Sequence, residues 1–193
     1  MDNLALKEPP RIERIDGTTI MMSPRPLIQH SVVSSNIYRI FASYLHGKPC
    51  KAFADGVDVH LDDQNWFIPD VSIVCDRSII HRDGIHGAPD LVVEVLSPST
   101  ARNDRGPKMQ HYAAAGVKEY WIVSPLAKSV EVYLNHDGNF KLDDIYTDYP
   151  KWELSRMTDE ERQAIRMDIP VSLYDDLLVN VKDVFEDVDA FNH

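Results

Sequence analysis

Apolar residues recur along the chain at two spacings, about 3.6 and about 2 residues, and these divide it into elements. Val33, Ile37, Ile40, Phe41 and Tyr44 recur at three- and four-residue steps, which predicts a helix over about 27–45, with Gly47 and Pro49 as stop signals. Before it, "RIERIDGTTIMMSP" reads as two short strands turning at Asp16-Gly17 and ended by Pro24 and Pro26. After it, "KAFADGVDVHL" and "WFIPDVSIVC" are strand material around the polar turn "DDQN". A loop with Asp83-Gly84 and Gly87 leads to 91–96, a nearly continuous apolar run of the kind buried on both faces of a sheet. "SPSTARNDRG" reads as a loop, and Pro107 opens a short helix that Gly116 closes. "EYWIVSP" is another mostly buried strand. "SVEVYLNHDGNFKL" is a hairpin with Asp137-Gly138 at its tip and Val130, Val132 and Leu134 on one face. A short helix around 158–166 precedes a final acidic segment. This order predicts one α/β domain over 1–193, a mixed sheet flanked by helices behind an amino-terminal hairpin, with a core over about 9–150 and an acidic carboxyl-terminal extension.

Composition alters this little. With 44% hydrophobic and 26% charged residues, general disorder is excluded. No run approaches the roughly 18 apolar residues of a membrane span. "MDNLALKEPPRIERIDG" lacks the apolar segment of a signal peptide, so a soluble, cytoplasmic protein is expected. Cys50 and Cys75 have no metal-type spacing, and reduced thiols in an intracellular protein are the simplest expectation. Twenty basic against 31 acidic residues give a net charge of −11, which argues against nonspecific coating of nucleic acid. The acid is unevenly spread: seven acidic residues and one lysine, Lys182, lie from Asp168 onward. Between Arg77 and Lys108, five Lys or Arg and two His face four acids, so a nucleic-acid partner is weakened but not excluded.

The candidate chemistry begins at "PDLVVEVLSPST" (89–100), where Glu94 interrupts the apolar strand. An ionised carboxylate there is costly unless it is paired or holds a metal. Asp90 faces the same side of that strand but lies about 13 Å away, too far for easy joint ligation. "IPDVSIVC" echoes "APDLVVEV", and Asp70, on a neighbouring strand about 4.8 Å across, is the better partner. Two such carboxylates, with waters and a backbone carbonyl such as that of Val95, suit Mg²⁺ or Mn²⁺. A salt bridge from Glu94 to a Lys or Arg, or a strand bordering solvent, is the plainer alternative. Lys108 falls in the first turn after Pro107, where the helix dipole disfavours a cation and a nearby acidic pair would reverse that preference. Tyr112 is four residues on, along the same face. A solvated surface lysine is the alternative. His30 belongs to the inward face of the first helix, where a satisfied core histidine is the commoner outcome, and Gln29 is a lesser candidate. Ser97 and Ser99 lack a nucleophile-elbow context, no Gly-rich phosphate loop is present, and the scattered histidines show no zinc spacing.

The block "PDLVVEVLSPSTARNDRGPKMQHYAAAGVKEYWIVSP" closely resembles the signature of the Uma-two family of bacterial predicted restriction endonucleases, a branch of the PD-(D/E)xK nuclease superfamily. "RIDGTTIMMSPRP...QH", "FIPDVSIVC" and the later "VEVY" also fit, and the resemblance spans about residues 9–187. It implies a restriction-endonuclease-like fold and metal-dependent hydrolysis of a DNA phosphodiester. By position, Asp70 matches the motif aspartate and Glu94 the acidic residue of the next strand. The superfamily places a lysine two residues after that glutamate, and Leu96 stands there instead. In this branch a lysine on the following helix takes over, and Lys108 is at the matching place, with Tyr112 as the tyrosine of that helix. His30 falls where the first helix lends a polar residue to the site.

On this reading Asp70 and Glu94, with the Val95 carbonyl, bind Mg²⁺ or Mn²⁺, and Lys108 orients water or stabilises charge on phosphorus. His30 holds the water or the metal's surroundings, and Asp90 fixes the loop or supports the site. Arg102 and Arg105 reach substrate phosphates, with simple exposure as the alternative. DNA is the expected partner, and a homodimer follows because cutting both strands wants two symmetric sites. One rival is a catalytically silent nuclease-fold binding or regulatory module, in keeping with the acidic balance, the relocated lysine and the sparse basic surface. Another is a glycosidase acid/base pair, which needs an aromatic-lined cleft. Trp66 and Trp121 lie near the motifs but read as core.

Overall fold

A computed structural model describes residues 11–21 and 27–190, so Pro24 and Pro26 lie outside the described residues. Strands β1 (Ile12–Ile15) and β2 (Thr18–Met21) form the amino-terminal hairpin, and α1 (Ile28–Tyr44) is the long amphipathic helix. Next come β3 (Lys51–Ala54), β4 (Val59–His60), β5 (Trp66–Phe67), β6 (Val71–Val74), β7 (Ile85–His86) and β8 (Leu91–Val95). Helices α2 (Ala101–Asp104) and α3 (Pro107–Ala115) precede β9 (Glu119–Ser124), β10 (Ser129–His136) and β11 (Asn139–Thr147). The chain continues through α4 (Lys151–Leu154), α5 (Asp159–Ala164), β12 (Asp168–Pro170), β13 (Leu178–Asn180) and α6 (Val181–Val184).

The strands sort into a six-stranded sheet, β11-β10-β9-β8-β6-β3, a five-stranded sheet, β2-β1-β5-β4-β7, and the small β12-β13 pair. The large sheet is mixed: β8 and β9 are parallel, joined by the α2-α3 crossover, and its other pairs are antiparallel. Both hairpin tips put an Asp-Gly pair in the left-handed region (Asp16 and Gly17 at φ 51° and 74°, Asp137 and Gly138 at 52° and 80°). Such two-residue turns match the twist of the flanking strands.

The large sheet is covered on both faces, which is why β8 reads as a run of apolar residues rather than an alternation. On one face Val33, Ile37 and Phe41 of α1 pack with Val71, Ile73, Leu91, Val93, Val95 and Trp121. On the other, Tyr112 of α3 and Phe67 of β5 pack with Val74, Val92, Tyr120 and Ile122. The period of two along β8 therefore sends Glu94 to the α3 side together with Val92. The acidic carboxyl-terminal segment is also a core element: Ile169, Val171, Val179, Val181, Val184 and Phe185 bury against the α1 layer.

Three local expectations are corrected. "WFIPDVSIVC" is not one strand, because β5 belongs to the small sheet and β6 to the large one, with Pro69 and Asp70 at the crossing. Part of "SPSTARNDRG" is the helical turn α2 rather than loop. Cys50 and Cys75 are not reduced thiols but a disulfide. The antiparallel β3–β6 pair matches Lys51 with Val74, so one step further sets the two cysteines opposite each other. Their separation of 25 residues hid that adjacency. Among the described residues, no helix is long and apolar enough to cross a membrane.

Candidate active site

Register places the two motif carboxylates. Val71 pairs with Val93 and Ser72 with Val92 on antiparallel β6 and β8, so the next step outward sets Asp70 opposite Glu94. Opposed residues of an antiparallel pair point to one face with β-carbons roughly 4.5–5.5 Å apart. Asp70 is held there by its neighbours: the Val95 amide donates to its Oδ2 at 2.7 Å, and His30 Nε2 stands 3.3 Å from the same oxygen. His30 comes from the first turn of α1 and is mostly buried. Burial works against its imidazolium, but the hydrogen bond and charge of Asp70 outweigh it and raise the pKa, with the Val95 carbonyl adding to the effect.

Lys108 is no surface lysine. The first turn of α3 points it inward, 2% exposed, into three carboxylates. Its Nζ lies 2.7 Å from Glu94 Oε1, 3.0 Å from Glu13 Oε1 and 3.4 Å from Asp104 Oδ1. Burial lowers the ammonium pKa, yet Glu94, Glu13 and Asp104 together reverse this and hold it well above the ordinary lysine value. Burial pushes Glu94 well above the ordinary carboxylate value; Lys108 opposes that rise, while Asp104, Asp70 and Glu13 add to it. Tyr112, fully buried against Phe67, points its hydroxyl at Glu94 Oε1 at 3.4 Å, and Tyr120 donates to the Asp104 carbonyl at 2.9 Å. Glu13 also accepts from the Ile68 amide at 2.9 Å, which ties the small sheet to the Pro69-Asp70 crossing.

Asp70, Glu94, Asp104, Lys108 and His30 line one pocket of about 300 Å³, closed on its other sides by Arg11, Leu27, Ile68 and the 97–100 turn. Among the described residues neither carboxylate oxygen of Asp104 has a hydrogen bond of good geometry, although the residue is 1% exposed. Its contact with Lys108 is an ion pair beyond good hydrogen-bond length. Burial raises the Asp104 pKa against the opposing pull of Lys108 and of the Thr100 side chain. A hard divalent cation fits this donor set, because it would engage an unsatisfied buried carboxylate and offset acid in excess of one lysine. Asp70, Glu94 and Asp104 share the pocket without all coming within 4.8 Å of one another, so joint ligation requires side-chain rotation.

Glu13 and Asp104 are the buried acids around Lys108 that sequence reasoning missed. Asp104 carried a signal, standing four residues before Lys108, the spacing of a helical ion pair. Glu13 carried none that could be read without knowing which face of β1 is buried.

Other expected residues lie elsewhere. Asp90 is at the far end of β8, where Oδ2 accepts from the Cys75 amide and Oδ1 meets Lys118 Nζ, both at 2.7 Å; it fixes a strand end away from the pocket. Arg105 is engaged by Glu131, its guanidinium making a bidentate pair at 2.7 and 2.6 Å. Arg102 is exposed on α2. Trp121 is core, whereas Trp66 is half-buried and stacks on His60, and among the described residues no Phe, Tyr or Trp lines the pocket as a sugar cleft would need.

Residues 1–168 match the model of the Uma2 family, described as "Putative restriction endonuclease". The chain belongs to the Uma2 family. A relative from Synechocystis, the "Uncharacterized protein slr1290", is 35% identical over 114 residues, covering 58% of this chain and 60% of that protein. The chain therefore matches less than two thirds of that relative's length. The fold is also that of the crystal structure of "a putative nuclease belonging to DUF820" from Anabaena variabilis. That likeness has a TM-score of 0.71 at 22% identity and covers 96% of each chain. The mixed sheet flanked by helices in this Uma2 protein is thus the fold of that structure.

Proposed function

We propose that this Uma2 protein is a divalent-metal-dependent endonuclease that hydrolyses DNA phosphodiesters in the Asp70–Glu94 pocket. One observation carries the reading: two acidic residues opposed on adjacent strands share one pocket with a buried lysine and with a third buried carboxylate, Asp104, that among the described residues has no hydrogen bond of good geometry. Asp70, Glu94 and Asp104 would hold Mg²⁺ or Mn²⁺, which supplies Lewis acidity toward a phosphoryl oxygen and makes water more acidic. The protein's own groups do the rest. Lys108, kept protonated by its three carboxylates, presents positive charge toward the pocket to stabilise charge developing on the phosphate. Glu13 and Tyr112 are positioning residues that fix Lys108 and Glu94. His30 is a further positioning residue that orients Asp70 through its Nε2.

A plasmid-nicking assay tests this directly. Nicking should require added Mg²⁺ or Mn²⁺, stop with chelator, and be lost in Asp70→Asn and in Glu94→Gln. Equal residual nicking in wild type and both variants would mean a contaminant and would end the proposal. A homodimer goes with duplex cleavage, and light scattering should then return twice the chain mass.

A second reading, a catalytically silent binding or regulatory module, draws support from the cations near the pocket. Arg11 pairs with Asp55 and Arg105 with Glu131, which leaves little positive charge to grip a DNA backbone. It predicts DNA binding or none at all, but no metal-dependent nicking at any salt concentration.

A further inference from the structure

At the β7 end of the small sheet, "HRDGIH" (81–86) turns back on itself as it enters β7. His81, Asp83 and His86 each bring one donor atom to within 4.8 Å of the others. Among the described residues no other three His, Cys, Asp or Glu donors come together so closely. His86 Nε2 is already 3.2 Å from Asp83 Oδ1. Donors around a tetrahedral zinc, at about 2.0–2.2 Å from the ion, stand roughly 3.3–3.6 Å apart. Exposed side chains need only a small rotation to close from the present spacing.

The backbone beneath is tightly fixed. The His81 amide donates to the Gly84 carbonyl at 2.8 Å, and the Ile85 and Gly87 amides donate to Asp58 and His60 at 2.8 and 2.9 Å. Gly84 takes φ +154°, and a β-carbon there would lie 2.6 Å from the Asp58 carbonyl oxygen, so only glycine allows so close an approach to β4. Parallel pairing sets His86 beside His60. The His86 ring is stacked 4.8 Å from His60 and lies 4.6 Å from His81, which restricts its orientation before any ligand arrives.

We propose that His81, Asp83 and His86 form a Zn²⁺-class transition-metal site that clamps the β7 loop to the small sheet. Two imidazoles and one carboxylate are a borderline donor set that selects Zn²⁺ over Mg²⁺, and the exposed side leaves a position for water. The site is independent of the carboxylate pocket and of whether that pocket cuts DNA. On this proposal H-x-D-x-x-H, which is no familiar zinc spacing, would supply three ligands once the chain turns at Gly84.

The test uses the full chain stripped with chelator and titrated calorimetrically with Zn²⁺ alone, with thermal unfolding in parallel. Wild type should take up one Zn²⁺ through this site, with a rise in Tm that Mg²⁺ does not reproduce by the same residues. His81→Gln/His86→Gln, and separately Asp83→Asn, should weaken Zn²⁺ binding by at least the roughly 10- to 100-fold that loss of a supporting partner costs. His111→Gln, in the ion pair with Asp16 on another surface, should bind as wild type does. No Zn²⁺ uptake by wild type, or equal uptake by the double variant, would overturn the proposal. Visible bands of a Co²⁺ complex that vanish in the double variant provide an independent signature.

Discussion

Lys108 Nζ lies 2.7 Å from Glu94 Oε1, and both side chains are almost wholly removed from water. One cation serves three buried acids here, so the members of the cluster are not equivalent. Lys108→Met leaves Glu94, Glu13 and Asp104 facing one another without compensation, and it should cost about 3–5 kcal/mol. Glu94→Gln leaves Lys108 with two acids and should cost clearly less. Urea denaturation of the two variants decides the order, and equal losses would mean that the lysine is neutralised by only one partner.

Asp104 should show opposite effects on stability and activity. Its carboxyl group is buried and, among the described residues, lacks a hydrogen bond of good geometry, so Asp104→Asn should leave stability unchanged or raise it by about 1 kcal/mol. The same change removes an anionic donor from the pocket, and metal-dependent nicking should fall at least about tenfold. Loss of both stability and nicking would assign Asp104 a structural role instead.

The Arg105–Glu131 pair gives a pH signature. The hydrogen bonds from Arg105 hold the Glu131 pKa below its ordinary 4.5, against the opposing effect of burial, and Tyr133 assists. A lowered carboxylate pKa means that the pair's contribution is fully present above the unfolded value and is lost as pH falls through the folded value. Relative to Glu131→Gln, wild type should be more stable by about 0.5–1 kcal/mol near neutrality, the range for a partly exposed pair. That advantage should begin to shrink as pH drops below about 4.5. An advantage that grows on acidification would contradict the assigned sign.

The Cys50–Cys75 bridge closes a loop of 25 residues that contains β4, β5 and the Pro69-Asp70 crossing. Its reduction should lower stability by about 3 kcal/mol through the freedom regained by the unfolded chain. Denaturation with and without a reductant measures this, and Cys50→Ser/Cys75→Ser should lose its sensitivity to the reductant.

Most elements were legible because their signals are local. The step of three or four residues in α1, Pro107 and Gly116 at the ends of α3, and the Asp-Gly hairpin tips all act within a few residues. Glu94 was conspicuous because it breaks an apolar strand. The split of "WFIPDVSIVC" was hidden because both halves look like strand, and only their partners in different sheets separate them. Arg105 read as either a phosphate ligand or a simply exposed residue because nothing in its neighbourhood announces Glu131, two strands further on.

The sequence alone determined the mixed α/β order, the two-sided burial of β8 and the suspicion attached to Asp70, Glu94 and Lys108, because period and charge placement are properties of adjacent residues. Only the tertiary structure decided that Glu13 and Asp104 join Lys108, that Asp90 and Arg105 are engaged elsewhere, and that two distant cysteines meet. Those outcomes depend on strand register and on which face is covered, and such contacts arise only when segments far apart in the chain exclude water together.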